Sequence, residues 1–469
     1  MSKSKVPIVA IVGRANVGKS SLFNALIGRR EAIVADEPGT TRDSITAKAE
    51  LESGKQFWLV DTAGMKDAAD AFELTIQDQI IEAANAADII LVTVDGTTMV
   101  TDEDRRVAKL AFKSGKKLIL LVNKCDKAKK NQIQEFEKLG IKPLIATSAT
   151  QKRGFDELEE ALEAVLPHAF IDEADDRIHI ALLGRPNVGK SSLYNALAKK
   201  QQAIVADRAG TTRDVNKIMV KYKERELELF DTAGIRRSGR IERGVEHFSV
   251  LRSLQAIEQA DVCLLLVDSG ELSVALDQKI AGMIKESGKG LIIVVSKWDL
   301  KEKDAYTRDD ISPGIAYDFN FVPWAPLIFT SSETGKNVNK IFDLVLEIME
   351  RRAQTITTRE LNLWLKRVTD RHPPAGLKNK HPKLRYMVQE EGNPIPAFKI
   401  FGSQTKFLHW SYRRHMDKML RESWDYSGSP VQLWFIDRDE EKDKKFKNNG
   451  NRDRSMRRTK EKSDRKNDI

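Results

Sequence analysis

Two short runs of glycine, lysine and serine have the residue types and spacing that bind a nucleotide phosphate. Gly13 to Ser20 and Gly184 to Ser191 both fit the phosphate-loop pattern of Gly, four residues, then Gly-Lys-Ser. In this pattern the glycines let backbone N–H groups face a phosphate, the lysine neutralises its outer oxygens, and the serine hydroxyl binds magnesium. Each run follows an apolar segment, residues 8–12 and 178–183, which supplies the strand that the motif requires.

The chain contains the same unit twice, because the landmarks that follow the two loops keep nearly the offset of 171 residues that separates the loops. We call these units the first and second copy. Their predicted phosphate-loop residues are Gly13, Arg14, Ala15, Asn16, Val17, Gly18, Lys19, Ser20 and Ser21, and Gly184, Arg185, Pro186, Asn187, Val188, Gly189, Lys190, Ser191 and Ser192.

Two further motifs in each copy have the chemistry of a switch. The first of these motifs is a polar segment that contains a glycine and two adjacent threonines, at residues 36–43 and 207–214. Such a segment suits a mobile loop in which a threonine hydroxyl reaches the magnesium ion only when the nucleotide has a third phosphate. Apolar runs 56–60 and 226–230 end in an aspartate that can hold a metal through water and a glycine whose N–H can face the terminal phosphate. These second motifs are Asp61, Thr62, Ala63 and Gly64, and Asp231, Thr232, Ala233 and Gly234.

The strands farther along each copy carry the residues that would choose the base. Apolar runs 89–94, 118–122, 262–267 and 291–295 alternate with helical patterns, which predicts an α/β fold with a doubly wound, mostly parallel sheet in each copy. A carboxylate at Asp126 or Asp299 can accept two N–H bonds from guanine, whereas adenine would leave it unpaired. The predicted base-binding residues are Asn123, Lys124, Asp126, Ser148 and Ala149, and Ser296, Lys297, Asp299, Ser331 and Ser332. Five such motifs in order, twice, argue against an adenine-specific ATPase or a small-molecule kinase.

The bulk composition describes a chain of several domains with ordinary cores. Its 469 residues and 41% hydrophobic content fit roughly three domains, and no apolar run is long enough to span a bilayer. The N-terminus lacks the apolar segment of a signal peptide, so we expect a cytoplasmic protein. Cys125 and Cys263 are the only cysteines, have no metal-ligand spacing, and are predicted to be reduced thiols without a chemical role.

The basic charge is concentrated at the C-terminal end. Residues 352–437 hold 15 Lys and Arg against 8 Asp and Glu, and residues 438–469 hold 13 against 8. Because the whole chain carries +9, the first 351 residues are slightly acidic. A basic end on an acidic nucleotide-binding body suggests a polyanionic partner such as nucleic acid, although for the tail alone a solubilising surface is an equal alternative.

Two copies of this kind, joined by a short acidic linker and followed by a small basic domain, resemble the bacterial Der (EngA) family of double GTPases. The phrases Gly-Arg-Pro-Asn-Val-Gly-Lys-Ser and Gly-Thr-Thr-Arg-Asp carry the resemblance, together with Glu246 to Ser249. It implies domains at 1–168, 178–350 and 351–437 and a linker at 169–177. Residues 438–469 are rich in charged residues and have almost no apolar ones, which predicts a disordered basic tail. The third domain would be a KH-like α+β domain that contacts ribosomal RNA and the neighbouring GTPase domain, although the Gly-x-x-Gly loop of ordinary KH domains is not found. Contact with RNA would then rely on shape and on lysines such as Lys378, Lys380 and Lys383, or the domain would mainly dock on the GTPase domains.

The resemblance also implies a function. The chain would be a GTPase that binds GTP, GDP and Mg²⁺ and is required for assembly or stability of the large (50S) ribosomal subunit, with the nucleotide state of both copies controlling ribosome association. We expect a monomer with no DNA specificity and no stable membrane association. Thr41 and Thr212, rather than their neighbours, would join Ser20, Asp61, Ser191 and Asp231 at the metal. Lys19 and Lys190 would act on the phosphates, and Gly64 and Gly234 would sense the third phosphate.

The hydrolysis machinery departs from that of many GTPases. The position after the Asp-x-x-Gly motif, where many GTPases place a water-orienting glutamine, holds Met65 or Ile235. In related potassium-dependent GTPases a phosphate-loop asparagine holds a monovalent cation, and Asn16 and Asn187 occupy that position. We therefore predict K⁺-stimulated hydrolysis, with a purely structural role for these asparagines as the alternative.

Three positions depart from the family pattern. Ala15 and Ala209 replace prolines and lose some rigidity without losing a ligand. Ser296 replaces the asparagine that normally begins the base-reading motif, which predicts weaker guanine binding by the second copy.

Two other functions stay open. The second copy could be a regulatory nucleotide-binding module that scarcely hydrolyses GTP. The other open function is that of a GTPase acting in tRNA modification or on membranes. The sequence argues against it, because it shows no cysteine-bearing modification domain and no amphipathic anchor.

Overall fold

The computed structural model describes residues 6–29, 46–51, 53–62, 80–81, 83, 86–166, 176–200, 217–231, 250–272, 274–300, 307–377 and 380–437. These residues form two compact units, Met1–Val345 and Leu346–Ile469. The predicted disordered tail lies outside the described residues, and the bounds of the five predicted segments stay predictions.

The strand that precedes each phosphate loop lies inside a six-stranded sheet. In the first copy the strands are β1 Ile8–Val12, β2 Thr46–Glu50, β3 Gln56–Asp61, β4 Ile89–Asp95, β5 Lys117–Asn123 and β6 Leu144–Ala146, in the spatial order β2-β3-β1-β4-β5-β6. Its described helices are α1 Lys19–Arg29, α2 Asp102–Lys113, α3 Lys130–Glu135 and α4 Phe155–Val165, with a 3₁₀ turn at Phe136–Leu139.

The second copy repeats this arrangement. Its strands are β7 Ile178–Leu183, β8 Lys217–Tyr222, β9 Arg225–Asp231, β10 Val262–Asp268, β11 Gly290–Ser296 and β12 Leu327–Phe329, in the order β8-β9-β7-β10-β11-β12. Its described helices are α5 Lys190–Lys200, α6 Val250–Gln259, α7 Ala275–Glu286 and α8 Thr307–Asp318, and α9 Val338–Ala353 follows.

The sheets are mostly parallel and buried on both faces. All five residues of β1 and all seven of β4 are buried, as expected when a strand of branched aliphatic residues is covered by helices on both sides. Among the described strands of these two six-stranded sheets, the β2–β3 and β8–β9 pairs are antiparallel and the other pairs are parallel. The predicted doubly wound α/β fold is therefore confirmed, and its parallel strands bring the motifs at their carboxyl ends to one edge of each sheet.

The C-terminal unit is a small α+β domain. Helices α10 Thr358–Arg371 and α11 Trp410–Ser423 accompany the three-stranded sheet of β13 Lys383–Gln389, β14 Ala397–Ser403 and β15 Gln432–Asp437, with a 3₁₀ turn at Thr405–Phe407. Thr357 and Glu360 form a capping box that starts α10. The helices bury Trp364 and Tyr412 in the core shared with the sheet.

Candidate nucleotide-binding sites

The phosphate loop of the first copy joins β1 to α1 and surrounds its lysine. The Lys19 side chain is buried, and its Nζ donates to the carbonyl oxygens of Gly13 and Arg14, both at 2.8 Å. Burial lowers the pKa of Lys19 while the nearby Asp61 carboxylate opposes that effect. The loop thus holds a cation beside the N-terminus of a helix, which is an arrangement that attracts phosphate.

The second copy has the same loop. Lys190 is also buried, and its Nζ donates to the carbonyl oxygens of Gly184 at 3.1 Å and Arg185 at 2.6 Å. Asn16 and Asn187 both adopt left-handed backbone, with φ of 63° and 61°. Two loops 171 positions apart therefore adopt one conformation, which supports a shared phosphate-binding function.

The side chains of the two phosphate-loop arginines, Arg14 and Arg185, are paired with acidic residues. The Nη2 of Arg14 donates to Thr98 at 2.8 Å, and its Nε lies 3.3 Å from Asp104 at the start of α2. Arg185 pairs in the same way with the buried Asp277, at 3.1 Å, and with Glu271, at 2.7 Å. Burial raises the pKa of Asp277 to about 6, with the Arg185 guanidinium opposing it. These acidic residues hold the phosphate loops in place through the arginines. They could not be identified from the sequence, because an aspartate in the first turn of a helix carries no local sign that it pairs with a distant arginine.

The predicted magnesium ligands are placed in part. Ser20 lies exposed in the first turn of α1, and Asp61 is buried at the end of β3, which pairs with β1 through Ile11. Thr62 donates its hydroxyl to the carbonyl of Ile11 at 2.7 Å. Ser191 is exposed in α5, and Asp231 ends β9. Exposed Ser21 and Ser192 follow the serine ligands in each helix.

Several predicted switch residues lie outside the described residues, so their placement stays a prediction. They are Thr41, Ala63, Gly64, Thr212, Thr232, Ala233 and Gly234.

Oxygen ligands at a serine hydroxyl and an aspartate carboxylate fit the hard Mg²⁺ ion, and the lysine and loop fit a polyphosphate. Among the described residues there is no group of three or more His, Cys, Asp and Glu that could bind a metal on its own, and neither Cys125 nor Cys263 forms a disulfide there.

The base-reading residues of the first copy form one connected group at the ends of β5 and β6. Asn123 donates to the carbonyl of Val17 at 2.9 Å and accepts from the Ala149 N–H at 3.3 Å. The Ser148 hydroxyl donates to Asp126 at 2.6 Å, and this hydrogen bond lowers the pKa of the exposed carboxyl group. The Ser148 hydroxyl therefore stabilises the ionised form of Asp126.

Lysines fasten the same region to the neighbouring strand in both copies. Lys124 Nζ lies 2.6 Å from Asp95 and donates to the Asn16 carbonyl at 2.8 Å. Lys297 Nζ lies 2.7 Å from Asp268. In both copies the lysine adopts left-handed backbone, with φ of 62° and 53°. Asp95 and Asp268 were missed by sequence reasoning, and their position as the last residue of β4 and β10 is the signal that could have identified them.

The second base-reading group has the same backbone and a different first side chain. Ser296 is the last residue of β11, and its hydroxyl donates a hydrogen bond to the Val188 carbonyl at 2.6 Å. Ser331 lies just after β12, and its Oγ accepts from the Thr334 N–H at 3.1 Å. The structure thus brings Ser296, Lys297 and Asp299 to the same sheet edge as Lys190, with Ser332 following Ser331.

In the part of the chain that the structure describes, no helix is long and apolar enough to cross a membrane.

The lysines expected to contact RNA are placed in part, because Lys380 and Lys383 are exposed whereas Lys378 lies outside the described residues.

Two family models and the sequences of related proteins agree with this architecture. A family model described as "50S ribosome-binding GTPase" matches residues 8–124 and 179–297, and one described as "KH-domain-like of EngA bacterial GTPase enzymes, C-terminal" matches residues 355–435. GTPase Der of Chloroflexus aggregans is 41% identical, with 93% of this chain and 99% of that protein aligned. GTPase Der of Herpetosiphon aurantiacus is 40% identical over 93% and 97% of the two chains. A solved structure of Era from Aquifex aeolicus is 22% identical over 56% of this chain and 94% of that one, with a TM-score of 0.28.

Proposed function

Because this chain belongs to the Der (EngA) family of GTPases, we propose that it assists assembly of the large (50S) ribosomal subunit and binds that subunit under control of its two nucleotide sites. The observation that carries the proposal is the full-length match to GTPase Der proteins together with a model named for 50S binding. The activity itself follows from the family: the chain is a GTP-hydrolysing enzyme that contains two GTPase domains and a KH-like domain.

Lys19 and Lys190 offset charge on the outer phosphates, since each ammonium lies within its own loop. Mg²⁺ would be held by Ser20, Thr41 and Asp61 and by Ser191, Thr212 and Asp231, and when bound it neutralises phosphate charge. Asp126 and Asp299 read the guanine edge. Gly64 and Gly234 would contact the third phosphate when GTP is bound, and loss of that contact on hydrolysis would release the switch segments and lower affinity for the ribosome.

A monovalent cation completes the charge balance in this proposal. Asn16 is exposed at the mouth of its loop, and among the described residues no hydrogen bond engages its side-chain amide. An asparagine needed only to shape the loop would be expected to bond within the loop. The amide of Asn16 is therefore available to hold K⁺ beside the β- and γ-phosphates, and Asn187 occupies the corresponding position in the second copy.

The partner is the large subunit and its ribosomal RNA, and the place of action is the cytoplasm, where ribosomes assemble. The exposed Lys380 and Lys383 and the excess of basic residues in 352–437 support contact with RNA by the KH-like domain. A second candidate function, in which the second copy serves as a regulatory nucleotide site, is favoured by Ser296, whose side chain differs from its first-copy counterpart.

The test is depletion of the protein in its own cells followed by gradient analysis of ribosomes. The proposal expects fewer 50S subunits and an accumulation of lighter precursors, with rescue by the parent chain and by Lys113→Ala, an exposed-lysine control, but not by Lys19→Ala. Normal subunit levels after full depletion would contradict it.

A further inference from the structure

In the first copy one buried amide joins the phosphate loop to the base-reading loop. Asn123 is 2% exposed; its Nδ2 donates to Val17 in the phosphate loop and its Oδ1 accepts from Ala149 in the base-reading loop. The same side chain therefore acts on both loops that hold a nucleotide. Movement of either loop away from the other costs a buried hydrogen bond.

In the second copy the equivalent side chain reaches only one of the two loops. Ser296 is 3% exposed, and its hydroxyl lies 2.6 Å from the Val188 carbonyl and 3.1 Å from the Val267 carbonyl. A hydroxyl has one proton, so it serves one of these carbonyls at a time. Within the described residues no hydrogen bond connects Ser296 to the base-reading loop at Ser331 and Ser332.

Two more connections of the first copy have no counterpart among the described residues of the second. Lys124 Nζ bonds to the Asn16 carbonyl as well as to Asp95, whereas the hydrogen bond of Lys297 is to Asp268. Ser148 donates to Asp126 at 2.6 Å, whereas no bond joins Ser331 to Asp299 in the described part of the chain.

The space beside the phosphate-loop glycine shows the same difference. A methyl group added to Gly18 would collide with Nδ2 of Asn123. A methyl group added to Gly189 would find Ser296 Cβ and Lys297 Cε as its nearest neighbours, both at 4.0 Å. The second copy therefore has room for the amide that it lacks.

We propose that Ser296 makes the second copy the rapidly exchanging nucleotide site of this protein, while Asn123 makes the first copy the retaining site. Ser296 is a positioning residue, because it sets how firmly the loop that carries the guanine contacts is fastened to the phosphate loop. Asp299, which is not fastened by Ser331, also discriminates guanine from hypoxanthine less sharply than Asp126. This inference rests on guanine-nucleotide binding alone and is independent of the ribosomal partner.

The functional consequence is an unequal pair of switches. A site that retains its nucleotide reports hydrolysis, since its state changes when GTP is cleaved. A site that exchanges rapidly reports the ratio of free GTP to GDP around the protein. The second copy would then follow nucleotide supply while the first copy times the cycle.

The test measures dissociation of fluorescent mant-GDP by stopped flow from the full chain without ribosomes. Lys19→Ala leaves the second site as the reporter, and Lys190→Ala leaves the first. We expect release from the second site to be at least about tenfold faster, which corresponds to one lost hydrogen bond. Equal release rates at the two sites would overturn the proposal without any further variant.

The exchange of side chains assigns the difference to this position. Ser296→Asn in the Lys19→Ala chain is expected to slow release about tenfold and to raise the ratio of GDP to IDP affinity. Asn123→Ser in the Lys190→Ala chain is expected to do the reverse. A merely structural role would lower thermal stability in both exchanges without moving the two release rates in opposite directions, and that result would contradict the proposal.

Discussion

The indole N–H of Trp58 in the first copy donates a 2.7 Å hydrogen bond to the carboxylate of Glu258 in the second copy. Trp58 is fully buried and Glu258 is 5% exposed. Glu258 also accepts from the Val6 N–H at 3.4 Å, while its carbonyl accepts from Lys289 at 2.9 Å. Trp58 lies in β3, which ends at Asp61, so this contact joins the second copy to the strand that leads into the predicted Asp61–Gly64 motif of the first copy.

Replacing Trp58 with phenylalanine removes the donor and leaves part of the Glu258 carboxylate unsatisfied. We expect the free energy of unfolding to fall by about 1–3 kcal/mol, measured by urea denaturation. Trp410→Phe is the matched control, because Trp410 is 46% exposed. Equal unfolding midpoints in the two variants would show that the Trp58 contact contributes nothing specific.

Asn16→Gly tests the proposed potassium site. Glycine accepts the left-handed backbone at this position, so the loop keeps its shape while the amide is removed. In the parent, K⁺ is expected to stimulate GTP hydrolysis more than Na⁺ at equal ionic strength. In an Asn16→Gly/Asn187→Gly double variant the two salts should give the same rate. A parent that hydrolyses GTP equally fast in both salts would refute the potassium hypothesis.

Alanine at Gly18 and at Gly189 should have unequal effects. Both glycines have left-handed backbone, with φ of 94° and 95°, so both substitutions carry a similar backbone cost of about 1–2 kcal/mol. Only Gly18→Ala also collides with Asn123. We expect a larger drop in thermal midpoint for Gly18→Ala, and partial recovery when Asn123→Ser is added. A drop of the same size for both glycines, with no recovery, is the opposing outcome.

The buried Asp277 should give stability a defined pH dependence. Burial raises the pKa of Asp277 to about 6, above the ordinary value of 3.8, so the folded state favours the neutral carboxyl group. The stabilisation that the neutral Asp277 carboxyl group adds to the free energy of unfolding is complete below about pH 4 and is lost as the pH rises through about 6. Relative to the parent, Asp277→Asn should gain up to ~3 kcal/mol in free energy of unfolding between pH 4 and 8. The exposed Asp309→Asn serves as control, and a pH-independent difference for Asp277→Asn would contradict the shift.

Much of the fold could be predicted because the copies are built from long apolar runs bounded by strong motifs. β1 and β7 begin and end where their apolar residues do. β3, β5, β9 and β11 each end one residue later than the apolar run, on Asp61, Asn123, Asp231 and Ser296. A polar residue at the carboxyl end of a buried strand still pairs through its backbone, which the apolar pattern alone does not show.

The residues that sequence reasoning missed act over long separations. Asp104 and Asp277 meet loop arginines about 90 positions away, and Glu258 meets Trp58 200 positions away. Such pairs follow from how helices and copies pack, and no local period encodes them. Weaker guanine binding by the second copy was predicted from the residue type of Ser296. The missing hydrogen bond between Ser296 and residues 331–332 could be identified only from the positions of both loops in the structure.

The proposed control of large-subunit binding by nucleotide in both copies is tested most directly by co-sedimentation. We would measure co-sedimentation of the full chain with purified 50S subunits in GDP or in a non-hydrolysable GTP analogue. The parent and Lys113→Ala are expected to bind in the analogue and not in GDP, and Lys19→Ala and Lys190→Ala are each expected to lose binding. Absence of binding in every nucleotide state, or binding that ignores both substitutions, would contradict the claim.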